Sequence, residues 1–265
     1  MRQLVQQTIF PRALPTPIVS VVLLALAGPA VAATVRLEIV DAQTQQPLAA
    51  RVYIQDQQGD WRFVTSAGPG QAVKYDKQNR LNPRSIERHT TVSAIPCVAE
   101  LEPGRYTVTV ERGKEYFPET RAVEVGAEPV SLRLPLRRWI DMAARGWYSG
   151  ETHLHRTLDE LRTVVAAEDL NVAFPLSYWV TRAYQAPAAG DKNIGGEIPG
   201  ELVEIDKTHV IWPRNTEYEI FTVDERRHTL GAMFLLNHRE AISHGVPPWR
   251  PIAAAAAAER SSPSP

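Results

Sequence analysis

One cysteine, Cys97, occurs in 265 residues. A single thiol excludes an internal disulfide framework and any zinc cluster built on thiolates. A metal, if held, must be held by imidazoles and carboxylates. The chain also lacks an excess of either charge: Lys and Arg number 29 against 30 Asp and Glu, a formal net charge of -1. No basic surplus is left to neutralise a phosphate backbone, which argues against a nucleic-acid partner. No stretch approaches the ~20 apolar residues that cross a bilayer, so no membrane span is expected in the mature chain. Hydrophobic residues at 44% and charged residues at 22% suffice for a packed core and argue against wholesale disorder.

Residues 1–33 read as a secretory signal. Arg2 and Arg12 supply the positive segment, residues 18–27 the apolar run, Gly28-Pro29 the break and Ala30-Val31-Ala32 the small-x-small pattern. Cleavage is expected near Ala32-Ala33, releasing a secreted or periplasmic protein in which Cys97 is a buried small hydrophobe.

Residues 34–137 alternate apolar and polar residues in short runs. Val35, Leu37 and Ile39 share one strand face, and residues 51–54 form the return strand after a polar turn at residues 41–47. Residues 105–111 give the clearest alternation, and residues 121–125 and 130–136 are two further strands. Ahead of residues 105–111 a polar stretch runs from Gly68-Pro69-Gly70 to residue 88, with His89 expected to be solvated in a loop. Short strands with Pro/Gly turns predict a β-sandwich.

From Trp139 the period changes. Leu158, Leu161, Val164 and Val165 fall at helical spacing, with Thr157 or Asp159 as N-cap. Residues 171–176 read as a buried strand, so that strand, helix and strand make a βαβ unit. Residues 185–200 are expected to be a long loop, and residues 209–212, 218–221 and 230–236 further strands. Residues 253–265 are a low-complexity tail, of which residues 253–258 suit a helix.

The chemistry concentrates in Trp147-Tyr148-Ser149-Gly150-Glu151-Thr152-His153-Leu154-His155-Arg156. At the end of a strand, His153 and His155 point to the same side and could share a divalent ion. The competing reading leaves one imidazole in solvent and the other on a local carbonyl.

Two resemblances bear on these segments. Val40-Asp41, Thr44, Pro47-Leu48, Arg51-Val52-Tyr53-Ile54 and Pro103-Gly104-Arg105-Tyr106-Thr107-Val108 resemble the carboxypeptidase-regulatory-like, immunoglobulin-like (Ig-like) accessory domain. That implies a non-catalytic module that steadies a neighbour or contacts carbohydrate or surface partners. Residues 147–156 resemble the opening Gly-Asp-x-His-x-His-Thr motif of the PHP (polymerase and histidinol phosphatase) superfamily. The preceding sandwich and the Gly146-Trp147 lead-in resemble its carbaryl-hydrolase (CehA/McbA-type) branch. The implied fold is multidomain, a β plus α/β chain: an Ig-like sandwich over 34–137, then a partial PHP-type (β/α) barrel over 138–252.

The resemblance implies that His153 and His155 ligate a metal centre and that Glu151, where the family usually has Asp, supports the ligands. Asn215-Thr216-Glu217-Tyr218-Glu219 resembles the family's Gly-x-Glu strand. Glu217 is the matching ligand there, and Glu219, two residues on, is the alternate. Arg227-His228-Thr229-Leu230-Gly231 resembles a histidine segment that makes His228 a second-shell or substrate-facing group. His238 and His244 flank a loop as surface residues or alternate ligands. Trp147, Tyr178 and Trp179 are candidates to wall the pocket or to pack in the core.

The implied activity is hydrolysis of an ester, carbamate or phosphoester in a small-molecule substrate, with zinc, manganese or iron as the ion. The sequence also departs from the family. Its Leu-Thr-Asp-His-Asn motif should fall near residues 174–181, where Tyr178-Trp179 stand without Asp or His. Later ligands are missing as well, which predicts a truncated barrel. The alternative expectation is a non-catalytic degenerate fragment or binding module.

Overall fold

Strand geometry sends Val35, Leu37 and Ile39 to one side, and all three are buried while Arg36 is exposed. The computed structural model describes residues 31–79, 81–82, 84–182, 184–189, 198–223, 225–227, 232–240, 242 and 253–258. The expected signal segment thus lies outside the described residues, apart from its last three.

The first region contains β1 (Ala33–Asp41), β2 (Ala50–Asp56), β3 (Trp61–Arg62), β4 (Thr65–Ser66), β5 (Ala72–Gln78), β6 (Ile86–Val92), β7 (Cys97–Leu101), β8 (Gly104–Glu111), β9 (Glu119–Val125) and β10 (Val130–Leu136). One sheet runs β10-β1-β7-β4 and the other β5-β6-β2-β8-β9, with β3 on β2. Val35, Leu37, Leu134 and Leu136 of the first share one core with Val52, Ile54, Val108 and Val110 of the second. Each such side chain contributes about 1.5–3 kcal/mol by leaving water. Cys97 lies in this core, where burial pushes its thiol up to about 12, an inert state that matches its expected role.

The polar stretch before residue 88 is not a loop. It is the antiparallel hairpin β5–β6, in register from Ala72 with Val92 to Gln78 with Ile86. His89 on β6 is buried, contrary to expectation, between the rings of Tyr53 (5.2 Å) and Tyr75 (5.3 Å, stacked). Burial, reinforced by the charges of Arg51 and Arg156, lowers its pKa to about 4. Polar residues on both faces of β5 hide the strand period from the sequence.

The second region contains β11 (Gly150–Leu154), α1 (Leu158–Ala167), β12 (Val172–Pro175), β13 (Tyr178–Arg182), β14 (Ala188–Ala189), β15 (Val203–Glu204), β16 (Val210–Ile211), β17 (Asn215–Val223), β18 (Arg226–Arg227) and β19 (Ala232–Leu236). Thr157 caps α1, its Oγ1 accepting from the Glu160 amide. β11 and β12 are parallel with α1 between them, the expected βαβ unit. The sheets run β11-β12-β16-β15 and β14-β13-β17-β18, with β19 also on β17.

Each of these two sheets carries a parallel ladder. Val172 pairs with Val210 and, beyond a break, Tyr178 pairs with Thr216 at the same offset. The break falls at Pro175 and Pro213, which have no amide hydrogen to donate. Asn215, fully buried, staples it by donating from Nδ2 to the carbonyls of Pro175 and Trp212, both at 2.7 Å. Among the described residues neither sheet closes into a barrel, and the chain between β13 and β16 holds β14 and β15 rather than a second helix. Ala188–Ala189 is therefore strand within the expected long loop, and residues 253–258 are helical as the alanine run suggests. Among the described residues no helix is long and apolar enough to cross a membrane.

α1 buries two faces. Leu161 and Val165 pack with Ala173 and Ile211 of the parallel sheet. Thr163 and Ala167, also buried, lie on a different side of the helix, and Thr163 Oγ1 donates to Gln71 of the sandwich at 2.9 Å. At the helix end Asp169 takes the left-handed conformation (φ 53°) that glycine usually fills. The Leu170 amide closes onto the Val165 carbonyl at 3.1 Å. The carboxylate explains the choice of Asp: Arg112 lies at 2.6 Å, Arg138 at 3.0 Å and His209 Nε2 at 3.2 Å. Burial pushes Asp169 up, but the His209 hydrogen bond and the two guanidinium charges outweigh it and hold its pKa below the ordinary carboxylate value. Burial alone would lower His209, yet Asp169 and Asp206 raise it.

Candidate metal centre

β11 ends at Leu154, whose carbonyl accepts the Leu176 amide at 2.9 Å, and the helix cap begins at Thr157. His153 and His155 therefore sit at the carboxyl end of a parallel strand, where open α/β sheets place their ligands. The ladder between β11 and β12 shifts register between Glu151 and Leu154. In that irregular turn the Glu151 carboxylate accepts the His153 amide at 2.9 Å, so Glu151 shapes the strand end rather than joining the donors.

Glu217 arrives from β17. Its cross-strand neighbours are Trp179 on β13 and Phe234 on β19, and partners in register share a sheet face. The Phe234 ring packs edge-on against His153 at 4.8 Å, and the Trp179 ring lies 6.2 Å from that of His155. Between these aromatics the Glu217 carboxylate meets both imidazoles, with Oε1 3.6 Å from His153 Nε2 and Oε2 3.1 Å from His155 Nε2. The Glu217 side chain is 3% exposed, that of His155 29% and that of His153 50%. One side of the cluster is thus dry and carboxylate-bearing, while the other opens to solvent.

The donor set fits a divalent ion. One ligand atom from each of His153, His155 and Glu217 lies within 4.8 Å of the others. Two ligands held about 2.1 Å from a tetrahedral ion stand about 3.4 Å apart, close to the two histidine–carboxylate distances. Two imidazoles and one carboxylate are a recurrent ligand set for zinc and iron, with further positions left open.

The remaining expected site residues fall elsewhere. The backbone of Glu219 pairs with Ala232, while its side chain, together with His228 and His244, lies outside the described residues. His238 is neither a surface residue nor a ligand of this cluster. It is buried, with Nε2 2.8 Å from Thr216 Oγ1 and its ring 5.5 Å from that of Tyr178. Thr216 precedes Glu217 on the strand and points to the opposite face, which puts His238 behind the sheet. Trp147 is 70% exposed, so it does not pack in the core. Phe234 was not anticipated; its signal is only its place on a strand paired with the Glu217 strand. A separate cleft of about 530 Å³ is lined by Arg112, Arg138, Asp169 and His209 among others, and Asp169 already pairs with each of the other three.

No family model matches the chain, and no curated protein matches it. Among solved structures it is similar to GBS52, the minor pilin of the Gram-positive pathogen Streptococcus agalactiae. The identity is 16% and the TM-score 0.27, over 42% of this chain and 46% of that one. The chain thus spans less than half the length of that protein.

Proposed function

We propose that the chain is an exported, metal-dependent hydrolase-like protein whose ion is held by His153, His155 and Glu217. The observation behind this reading is the convergence of two imidazoles from the end of β11 on a buried carboxylate from β17. An ion bound there would lower the pKa of a bound water and polarise an ester, carbamate or phosphoester oxygen. The chain's own part is positional. Glu217 supplies negative charge from the dry side, Trp179 and Phe234 restrict the imidazole rings, and the exposed flank of His153 leaves room for a small-molecule substrate.

The finer reading is a PHP-type site of the carbaryl-hydrolase branch, preceded by a carboxypeptidase-regulatory-like, Ig-like sandwich and a cleaved signal. The Trp147–Arg156 motif and the parallel order of β11, β12 and β16 support it. Tyr178 and Trp179, standing where further ligands are expected, favour a centre with a single ion. The same substitution favours the second reading, a non-catalytic relative that retains a metal or binding site.

The test is hydrolysis of nitrophenyl acetate, a nitrophenyl carbamate and bis-nitrophenyl phosphate by the full chain loaded in turn with zinc, manganese and iron. Turnover of one ester class that needs the ion and disappears in His155→Ala supports the hydrolase. Stoichiometric metal without turnover of any ester class supports the non-catalytic reading.

A further inference from the structure

We infer that the sandwich sets the geometry of the metal centre through Tyr75, which holds Arg156 and thereby its neighbour His155. This rests on the reading of His153, His155 and Glu217 as metal ligands. Only His155 and Arg156 lie between the end of β11 and the cap residue Thr157. His155 reaches Glu217, while Arg156 reaches the sandwich, its guanidinium carbon 4.9 Å from the centroid of the Tyr75 ring. Arg156 also pairs with Glu160 at 3.4 Å on the first turn of α1.

The Tyr75 ring is itself fixed by stacking on the buried His89 at 5.3 Å. Further along, Thr163 Oγ1 donates to Gln71 at 2.9 Å, and Arg51 pairs with Glu168. The helix following the ligand strand is therefore tied to the sandwich near its start, middle and end. The tie nearest the site is the cation–π contact. Its loss removes the sandwich's hold on the two-residue bridge bearing His155, and preorganisation of a ligand translates directly into affinity.

Arg156 is a poor place to test this, because its charge also repels a nearby cation. Tyr75 is a positioning residue whose replacement leaves that charge in place. The probe is cobalt(II), titrated into the full chain with its visible absorption read as a report of ligand geometry. Tyr75→Leu and Tyr75→Thr are two independent ways of removing the ring, Thr being well suited to a strand. Tyr75→Phe keeps the ring face.

A cation–π contact of ordinary strength corresponds to an affinity loss of about 5-fold in the ring-less variants. An altered cobalt spectrum is expected with it, and Tyr75→Phe should match wild type in both. Cobalt affinity and spectrum unchanged in a folded ring-less variant would overturn the inference, as would Tyr75→Phe weakening as much as Tyr75→Leu. Failure of the wild-type chain to take up cobalt would instead remove the metal reading, and this one with it.

Discussion

His155 Nε2 lies 3.1 Å from Glu217 Oε2, joining the loop before α1 to a buried position on β17. A carboxylate at 3% exposure is costly to keep charged unless cations face it, and a bound ion would supply one. Glu217→Gln keeps the shape and removes the charge. Wild-type chain at metal concentrations about 100 times Kd should gain about 2.7 kcal/mol of stability. Glu217→Gln should lose nearly all of that gain. Thermal melts with zinc and with chelator check both arms.

Gly113 shows how tightly the sandwich is joined to α1. It has φ 47°, and a Cβ there would come within 2.6 Å of the Glu168 carbonyl oxygen and of Asp169 Cβ. Its amide donates to the Ala167 carbonyl at 3.2 Å. Backbone cannot yield as a flexible side chain can, so Gly113→Ala should cost about 2–4 kcal/mol from positive φ and overlap together. Urea unfolding measures this. Gly126→Ala is the control, since nothing lies within 4 Å of a Cβ there.

Asp169 is the hub of the same junction. Removing it leaves Arg112, itself buried, without its carboxylate partner. Breaking a buried pair from one side typically costs about 3–5 kcal/mol, and Asp169→Ala should fall in that range. Because its folded pKa is depressed, Asp169 contributes stability that is present above the unfolded value of 3.8 and lost as pH falls through the folded one. Acid unfolding of Asp169→Ala should accordingly be less steep below pH 3.8 than that of wild type.

Two histidines should act on stability with opposite signs. His89 is lowered from 6.5 to about 4, so the folded chain binds fewer protons than the unfolded one across that window. Stability is lost there as pH falls, by at most about 3 kcal/mol. His89→Phe should abolish that loss while keeping the stack with Tyr75. His209 is raised, so its contribution is complete below pH 6.5 and fades as pH rises through its folded pKa. The deficit of His209→Gln against wild type should therefore shrink at alkaline pH. Denaturant titrations of both variants from pH 4 to 9 distinguish the two signs.

The parts legible in the sequence were those with a local period. Val35, Leu37 and Ile39 mark a strand, and Leu158, Leu161 and Val165 a capped helix, because each pattern reflects one element meeting one core. The grouping of His153, His155 and Glu217 was suggested only by motif resemblance, since nothing local brings Glu217 to His155. What has no local signal depends on partners remote in sequence. Polar residues of β5 conceal a strand, His89 is buried by two tyrosines, and Thr216 draws His238 behind the sheet. Arg112 continues the inward phase of Val108 and Val110, and a charge in that apolar register is the sequence's sign of a buried ion pair.

The most direct measurement is metal content by plasma emission of the full chain purified without chelator, beside His153→Ala/His155→Ala handled identically. About one divalent ion per wild-type chain, reduced to background in the double variant, is the expected result. Trace metal present equally in both would contradict the centre.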